Sequence, residues 1–216
     1  IAKASYACML ELFVFISGYV FALGLEKKNP TLKNTIYSKF KRLIIPSLIF
    51  SIIYYIMFYR TSAFSFSGFV VKILSGCGHM WFLPMLFWAT LCVYIIDKIA
   101  LPTSFKLMGC FCLPVLSLIQ IPLGISSALY YIPFFYLGII IYRKREKILN
   151  TNTKLLIFKL LIGGGIAFIL SQLLIRYVMP GYIENGTIII KGVALVLCKY
   201  LQIIYSLLGV AFVYMF

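Results

Sequence analysis

The 216 residues are 63% hydrophobic and only 12% charged, with a mean hydropathy of +1.04. That balance excludes an ordinary soluble domain and makes lipid the solvent for most of the chain. The formal net charge of +15 calls for no nucleic acid, because the basic residues mostly sit between apolar runs, where they set topology and attract anionic lipid headgroups.

A hydrophobic helix follows almost directly on Ile1, so the chain is expected to be a portion of a longer polypeptide. Runs long and apolar enough to cross a bilayer predict seven spans: Cys8 to Leu25, Leu43 to Tyr59, Met80 to Ile96, Phe105 to Leu123, Leu129 to Tyr142, Leu155 to Val178 and Gly192 to Phe216. The predicted class is all-α, a polytopic membrane helix bundle making one domain over residues 1–216. The fifth span is short, with Pro133 placed to bend it. Pro114 falls inside the fourth, where neighbouring helices can satisfy the carbonyl it orphans.

Loops rich in Lys and Arg stay cytoplasmic, and here they alternate. The first loop holds Lys27, Lys28, Lys33, Lys39, Lys41 and Arg42, the third Lys98 and Lys106, and the fifth Arg143, Lys144, Arg145, Lys147 and Lys154. The alternate loops hold Arg60, Lys72, Arg176 and Lys191, a division of thirteen to four. The first visible span is therefore expected to run from outside to inside.

In the second loop Phe66, Phe69, Val70, Ile73 and Leu74 recur at helical spacing, with Ser65, Ser67, Lys72 and Ser75 opposite. This predicts a helix lying flat in the outer interface. It ends at Gly76 and Gly78, which free the chain to turn, and Pro84 suits the first turn of the next helix. His79, the single histidine, and Trp81 thereby come to the outer mouth of the bundle. Tryptophan is enriched in the interfacial belt, and a solvated histidine beside it is the ordinary explanation of the pair.

Ionisable groups at membrane depth are costly and therefore informative. Glu11 shares a stripe with Ala4, Ala7, Gly18 and Ala22, which turns it toward the packed interior on a small-residue seam. It fits two readings, an interfacial acid near the outer helix end and a functional group. In the last span Lys199, Gln202 and Ser206 line one face, where Lys199 either snorkels outward or serves function. Gln172 and Arg176 form a similar pair, with Arg176 as an interfacial anchor. The six cysteines form no CxxC pair and no Cys/His spacing suited to zinc, so no metal is expected. Gly163, Gly164 and Gly165 serve close helix packing.

Four stretches, FVFISGY at Phe13 to Tyr19, KFKRLIIPSLIFSIIYY at Lys39 to Tyr55, GHMWFLPMLFW at Gly78 to Trp88 and YIPFFYLGIIIYRK at Tyr131 to Lys144, recur together in one known pattern. In order and spacing the chain resembles membrane-bound acyltransferase family 3, nearest the branch of fucose 4-O-acetylase-like and exopolysaccharide O-acetyltransferases. The resemblance implies a bundle of roughly ten helices, acetyl-CoA as donor, and a sugar hydroxyl of a polysaccharide or lipid-linked glycan precursor as acceptor, in the bacterial cytoplasmic membrane. It also implies that the family's first helix, bearing a histidine, and its last helices lie outside this sequence.

Acetyl transfer needs a base with a pKa near working pH, and histidine is the usual choice. His79 is then the base, an acceptor-binding group or a structural partner of the missing histidine. Lys39, Lys41 and Arg42 would meet the CoA phosphates. Arg42 matches a recurrent family position four residues before Pro46, whereas Lys39 is equally explained by membrane anchoring. Trp81 would stack on a sugar ring. Ser17, Tyr19 and Glu11 are the remaining candidates for substrate binding, although a serine satisfied by its own helix carbonyl is as common. The competing reading is a transporter or flippase for a sugar-lipid, with Glu11, Lys199 and Gln172 as pathway groups. The paired, broken-helix halves frequent in transporters are not evident. A purely structural or receptor-like subunit is a third possibility, and it predicts no acyl-CoA binding.

Overall fold

The computed structural model describes residues 9–28, 30–59, 66–119, 121–146 and 188–215, with positions 162, 166 and 173. Among the described residues every regular element is helical. The chain runs α1 (Met9–Lys28), α2 (Leu32–Lys39), a π-helical turn (Phe40–Ile44), α3 (Ile45–Tyr59), α4 (Phe66–Ser75), a 3-10 turn (Gly78–Trp81), α5 (Phe82–Lys98), α6 (Thr103–Leu116), α7 (Ile125–Arg143) and α8 (Ile188–Met215). Four described segments are long and apolar enough to cross a membrane: Met9–Lys28, Leu32–Phe58, Ile125–Arg143 and Lys191–Val210. With α5 and α6 they make a helical membrane bundle, the class expected from the apolar runs. The span predicted at 155–178 lies outside the described residues, apart from Ile162, Ile166 and Leu173, each helical and about half exposed.

Three boundaries differ from the hydropathy reading. The second helix does not begin at Leu43: α2, the π turn and α3 follow without a break from Leu32. Thr31 is its N-cap, with Oγ1 accepting from the Asn34 N–H at 3.4 Å, a side chain suited to the first orphan donors of a helix. Lys33, Lys39, Lys41 and Arg42 therefore stand on a helical rod rather than in a loop. The π turn has a local cause. Pro46 lacks an N–H, and its ring crowds the carbonyl four residues back. The wider turn just before it relieves this crowding, closed by the Ile45 N–H bonding the Phe40 carbonyl five residues back.

The fourth helix stops at Leu116 instead of Leu123, its end fixed by the Ser117 hydroxyl donating to the Pro114 carbonyl at 2.6 Å. The fifth is longer than its apolar core, starting at Ile125, with Pro133 fully buried inside it. The polar Ser126 joins the preceding turn. Its hydroxyl donates to the Ile119 carbonyl at 2.5 Å and accepts from the Ile121 N–H at 2.6 Å. The helix expected around Phe66–Leu74 is present as α4, followed by Gly76 at φ +83° and Gly78 at φ +61°. Pro84 lies in the first turn of α5.

The chain divides into two compact units, one of Ile1–Ile16 with Ile140–Phe216, the other of Ser17–Ile139. In the second unit the core is built from α7 (Ile132, Phe134, Phe135, Tyr136, Ile139) and α5 (Met85, Ala89, Thr90, Val93), all essentially inaccessible. The α2–α3 rod runs antiparallel to the turn and α5. At one end the Tyr94 hydroxyl donates to the Pro30 carbonyl at 2.8 Å. Further along, the Phe40 and Phe87 rings meet edge-on at 6.3 Å. At the other end Ser51 Oγ accepts from the Cys77 N–H at 3.0 Å. The start of α2 thus shares an end with the last turns of α5, where Lys106 Nζ donates to the Asp97 carbonyl at 2.7 Å. The turn at Gly76–Trp81 shares the opposite end with Leu123, whose N–H bonds Ser75 Oγ at 3.2 Å.

In the first unit Glu11 is 3% exposed and Ser206 fully buried, and the Ser206 hydroxyl donates to Glu11 Oε1 at 3.2 Å. Glu11 is thus an interior group rather than an exposed interfacial acid. Of the face predicted on the last span, Ser206 is buried and Lys199 half-buried, but Gln202 is exposed.

Candidate active site

The parts of the four sequence blocks that fall in the second unit, Ser17–Ile139, are linked by a chain of neighbouring contacts. Gly18 of α1 lies against α7 so closely that a Cβ there would land on the Phe135 carbonyl, which is the physical reason the SGY segment needs a residue without a side chain. One turn on, Phe21 meets the Phe135 ring at 5.7 Å. Phe21 also receives Lys39, whose Nζ stands 5.1 Å from the ring centroid. The next residue, Phe40, packs on Phe87 of the GHMWFLPMLFW block. The four blocks thus form one continuous line of contacts, α7 to α1 to the π turn to α5.

The basic cluster divides along this line. Lys39 is half-buried and held over an aromatic face, a cation–π contact that ties α2 to α1. Lys41 and Arg42 are exposed on the π turn. Of the three they are the two exposed to solvent, and Arg42 carries a planar guanidinium fork. Their position corrects the expectation that they mark the start of the helix: Arg42 stands ten residues beyond Leu32, about 15 Å along the rod at helical rise.

At the end of the rod opposite Leu32 the GHMW segment is a single 3-10 turn braced from three sides. The Cys77 N–H bonds Ser51 Oγ, the Tyr54 ring fills the space where a Cβ of Gly78 would stand, and the backbone of Trp81 occupies that place at Gly76. Both glycines have positive φ, a conformation side chains rarely adopt. Trp81 is half-buried at the head of α5. The side chain of His79 lies outside the described residues, although its backbone is part of the turn. Ser17 and Tyr19 are half-buried on either side of Gly18. Glu11 belongs to the other unit, where its described partner is Ser206.

Reading the sequence alone missed Ser47, Ser51 and Tyr54. Ser51 and Tyr54 seat the turn, and Ser47 is buried one helical turn before Ser51 with no hydrogen-bond partner among the described residues. The available signal was the Ser-x-x-x-Ser spacing in an otherwise apolar helix, which places two hydroxyls on one face. Among the described residues no cluster of three potential metal ligands occurs.

Comparison with known families gives one match: the profile described as an acyltransferase domain, acyltransferase family 3, covers residues 2–216. No curated protein and no solved structure gives a significant match.

Proposed function

The chain belongs to acyltransferase family 3, and from that premise we propose that it is a multi-pass membrane O-acetyltransferase, moving acetyl from acetyl-CoA to a sugar hydroxyl of a polysaccharide or lipid-linked glycan precursor in a bacterial cytoplasmic membrane. The observation that carries this reading is the seam between the α2–α3 rod and the Cys77–Trp81 turn with α5, pinned by Phe40 on Phe87 and by Ser51 on Cys77. It sets two exposed cations and the turn bearing His79 and Trp81 along one antiparallel helix pair.

In this reading Lys41 and Arg42 bind the phosphates of CoA, while Lys39 fixes the cationic turn against α1. His79 takes the proton of the acceptor hydroxyl. The oxygen attacks the thioester carbonyl, the carbon–sulfur bond breaks, and the proton ends on the CoA thiol as the sugar ester forms. Trp81 offers its ring face to the sugar. Ser17 and Tyr19 contribute hydrogen bonds to substrate. The test is acetyl transfer from labelled acetyl-CoA by the purified full-length protein in lipid, with a panel of polysaccharide and lipid-linked acceptors. Failure of the protein to bind or consume acetyl-CoA would reject the reading.

A further inference from the structure

Ser47 is 1% exposed, and its hydroxyl has no hydrogen-bond partner among the described residues. A hydroxyl inside a helix ordinarily bonds the carbonyl four residues back. Thr90 does so to Leu86 at 2.8 Å, and Thr35 to Thr31 at 3.1 Å. For Ser47 that carbonyl belongs to Leu43, inside the π turn Phe40–Ile44, and the hydroxyl does not bond it. Pro46 thus both causes the turn and accompanies a neighbouring hydroxyl that its own helix does not use. Buried polar groups are almost always satisfied, and each exception asks for a partner.

The position of Ser47 says which partner. Ser51, one turn on and on the same face, accepts from Cys77. Phe40, before it, packs on Phe87. Ser47 therefore lies in the seam between α3 and the Gly78–Trp81 turn with the head of α5. Along the rod it is about 7 Å beyond Arg42 and about 6 Å short of Ser51, between the exposed cations and the turn.

We propose that Ser47 is a donor-binding residue: its Oγ–H donates a hydrogen bond to a carbonyl oxygen, thioester or amide, of the acyl-pantetheine arm on its way from the phosphates at Lys41 and Arg42 to the GHMW turn. This rests on the acetyl-CoA reading above. A carbonyl is the fitting ligand because it needs a donor and brings no proton of its own, and a neutral arm can enter a seam that would exclude charge. The seam is closed around Ser47, so entry of the arm parts α3 from the turn.

Ser47→Ala tests the inference, since deleting an unpaired hydroxyl in a helix leaves the fold intact. Its Tm in detergent should equal or exceed that of the unmodified protein. Equilibrium binding of acetyl-CoA should weaken about tenfold, the size of one lost hydrogen bond in a buried site, with KM for the acceptor unchanged. Ser51→Ala, which strands the Cys77 N–H, should lower Tm without that selective loss of donor affinity. Unaltered donor binding in Ser47→Ala beside an active unmodified protein would overturn this inference alone. A lowered Tm in Ser47→Ala would also overturn it, by revealing an internal partner. An unmodified protein that neither binds nor turns over acetyl-CoA would remove the donor reading and this inference together.

Discussion

Gly18 and Phe135 stand so close that the hydrogen of one glycine is all that separates α1 from the carbonyl of α7. Close backbone approach is how membrane helices gain packing energy where burying apolar surface brings none. Gly18→Ala must therefore push the helices apart, and because the obstacle is backbone rather than a flexible side chain, the strain cannot be relieved locally. The expected cost is about 1–3 kcal/mol or more, read as a fall in Tm in detergent together with lost activity. Gly24 on the same helix has nothing within 4 Å of its would-be Cβ. Gly24→Ala should be neutral or slightly stabilising through helix propensity.

Arg42 and Lys28 are both exposed cations, but only Arg42 stands on the π turn, beside the helix seam. Arg42→Gln should raise KM for acetyl-CoA at least tenfold, about the worth of a bidentate phosphate contact. Lys28→Gln should change it by less than about twofold. Steady-state kinetics on folded protein decides, and equal effects would reduce the basic cluster to a topological anchor.

From the division of basic residues, the segments around Lys33 and Arg145 are expected in the cytoplasm and Lys72 outside. Within the second unit the start of α2 and the end of α5 share one end, and the GHMW turn the other. A cysteine replacing Asn34, in the first turn of α2, should resist an impermeant thiol reagent in intact cells. One replacing Lys72, exposed on α4, should label readily once native thiols are controlled for. The reverse pattern would invert the orientation.

What could be read in advance follows from which physical signal dominated each segment. Apolar runs report the solvent directly, so the helical class and the position of α1 were visible, and the period of Phe69, Val70, Ile73 and Leu74 exposed α4. The start of the rod was hidden because charge obscured a helix that Thr31 caps. The start of α7 was hidden because Ser126 looks like loop when it is in fact bonding one. At the site, the partition of Lys39 from Lys41 and Arg42 depends on the ring of Phe21, eighteen residues before Lys39 in the chain but adjacent in space. The open hydroxyl of Ser47 follows the π turn, which hydropathy does not register.

His79 poses the sharpest test, because in the proposed reaction its turn and the cationic cluster serve opposite sides of the membrane. CoA is cytoplasmic and highly charged, and will not cross a bilayer, whereas the turn at Gly78–Trp81 is expected at the outer mouth. The antiparallel seam narrows that gap: Arg42 stands well up the rod from Leu32, and the Phe40–Phe87 contact sets the π turn only six residues of α5 from Trp81. An extended pantetheine arm can bridge such a separation, delivering acetyl to an acceptor that enters from outside against Trp81. If His79 deprotonates or orients that acceptor, His79→Ala should lower kcat for sugar acetylation by a factor of 100 or more, in the range of about 10²–10⁴ typical of general-base loss, while acetyl-CoA binding stays within about twofold. His79→Gln, which keeps a hydrogen-bonding side chain but carries no titratable nitrogen, should restore activity only if positioning is the whole role. Near-normal transfer by well-folded His79→Ala protein would remove His79 from the chemistry and leave it as a residue of the interfacial belt.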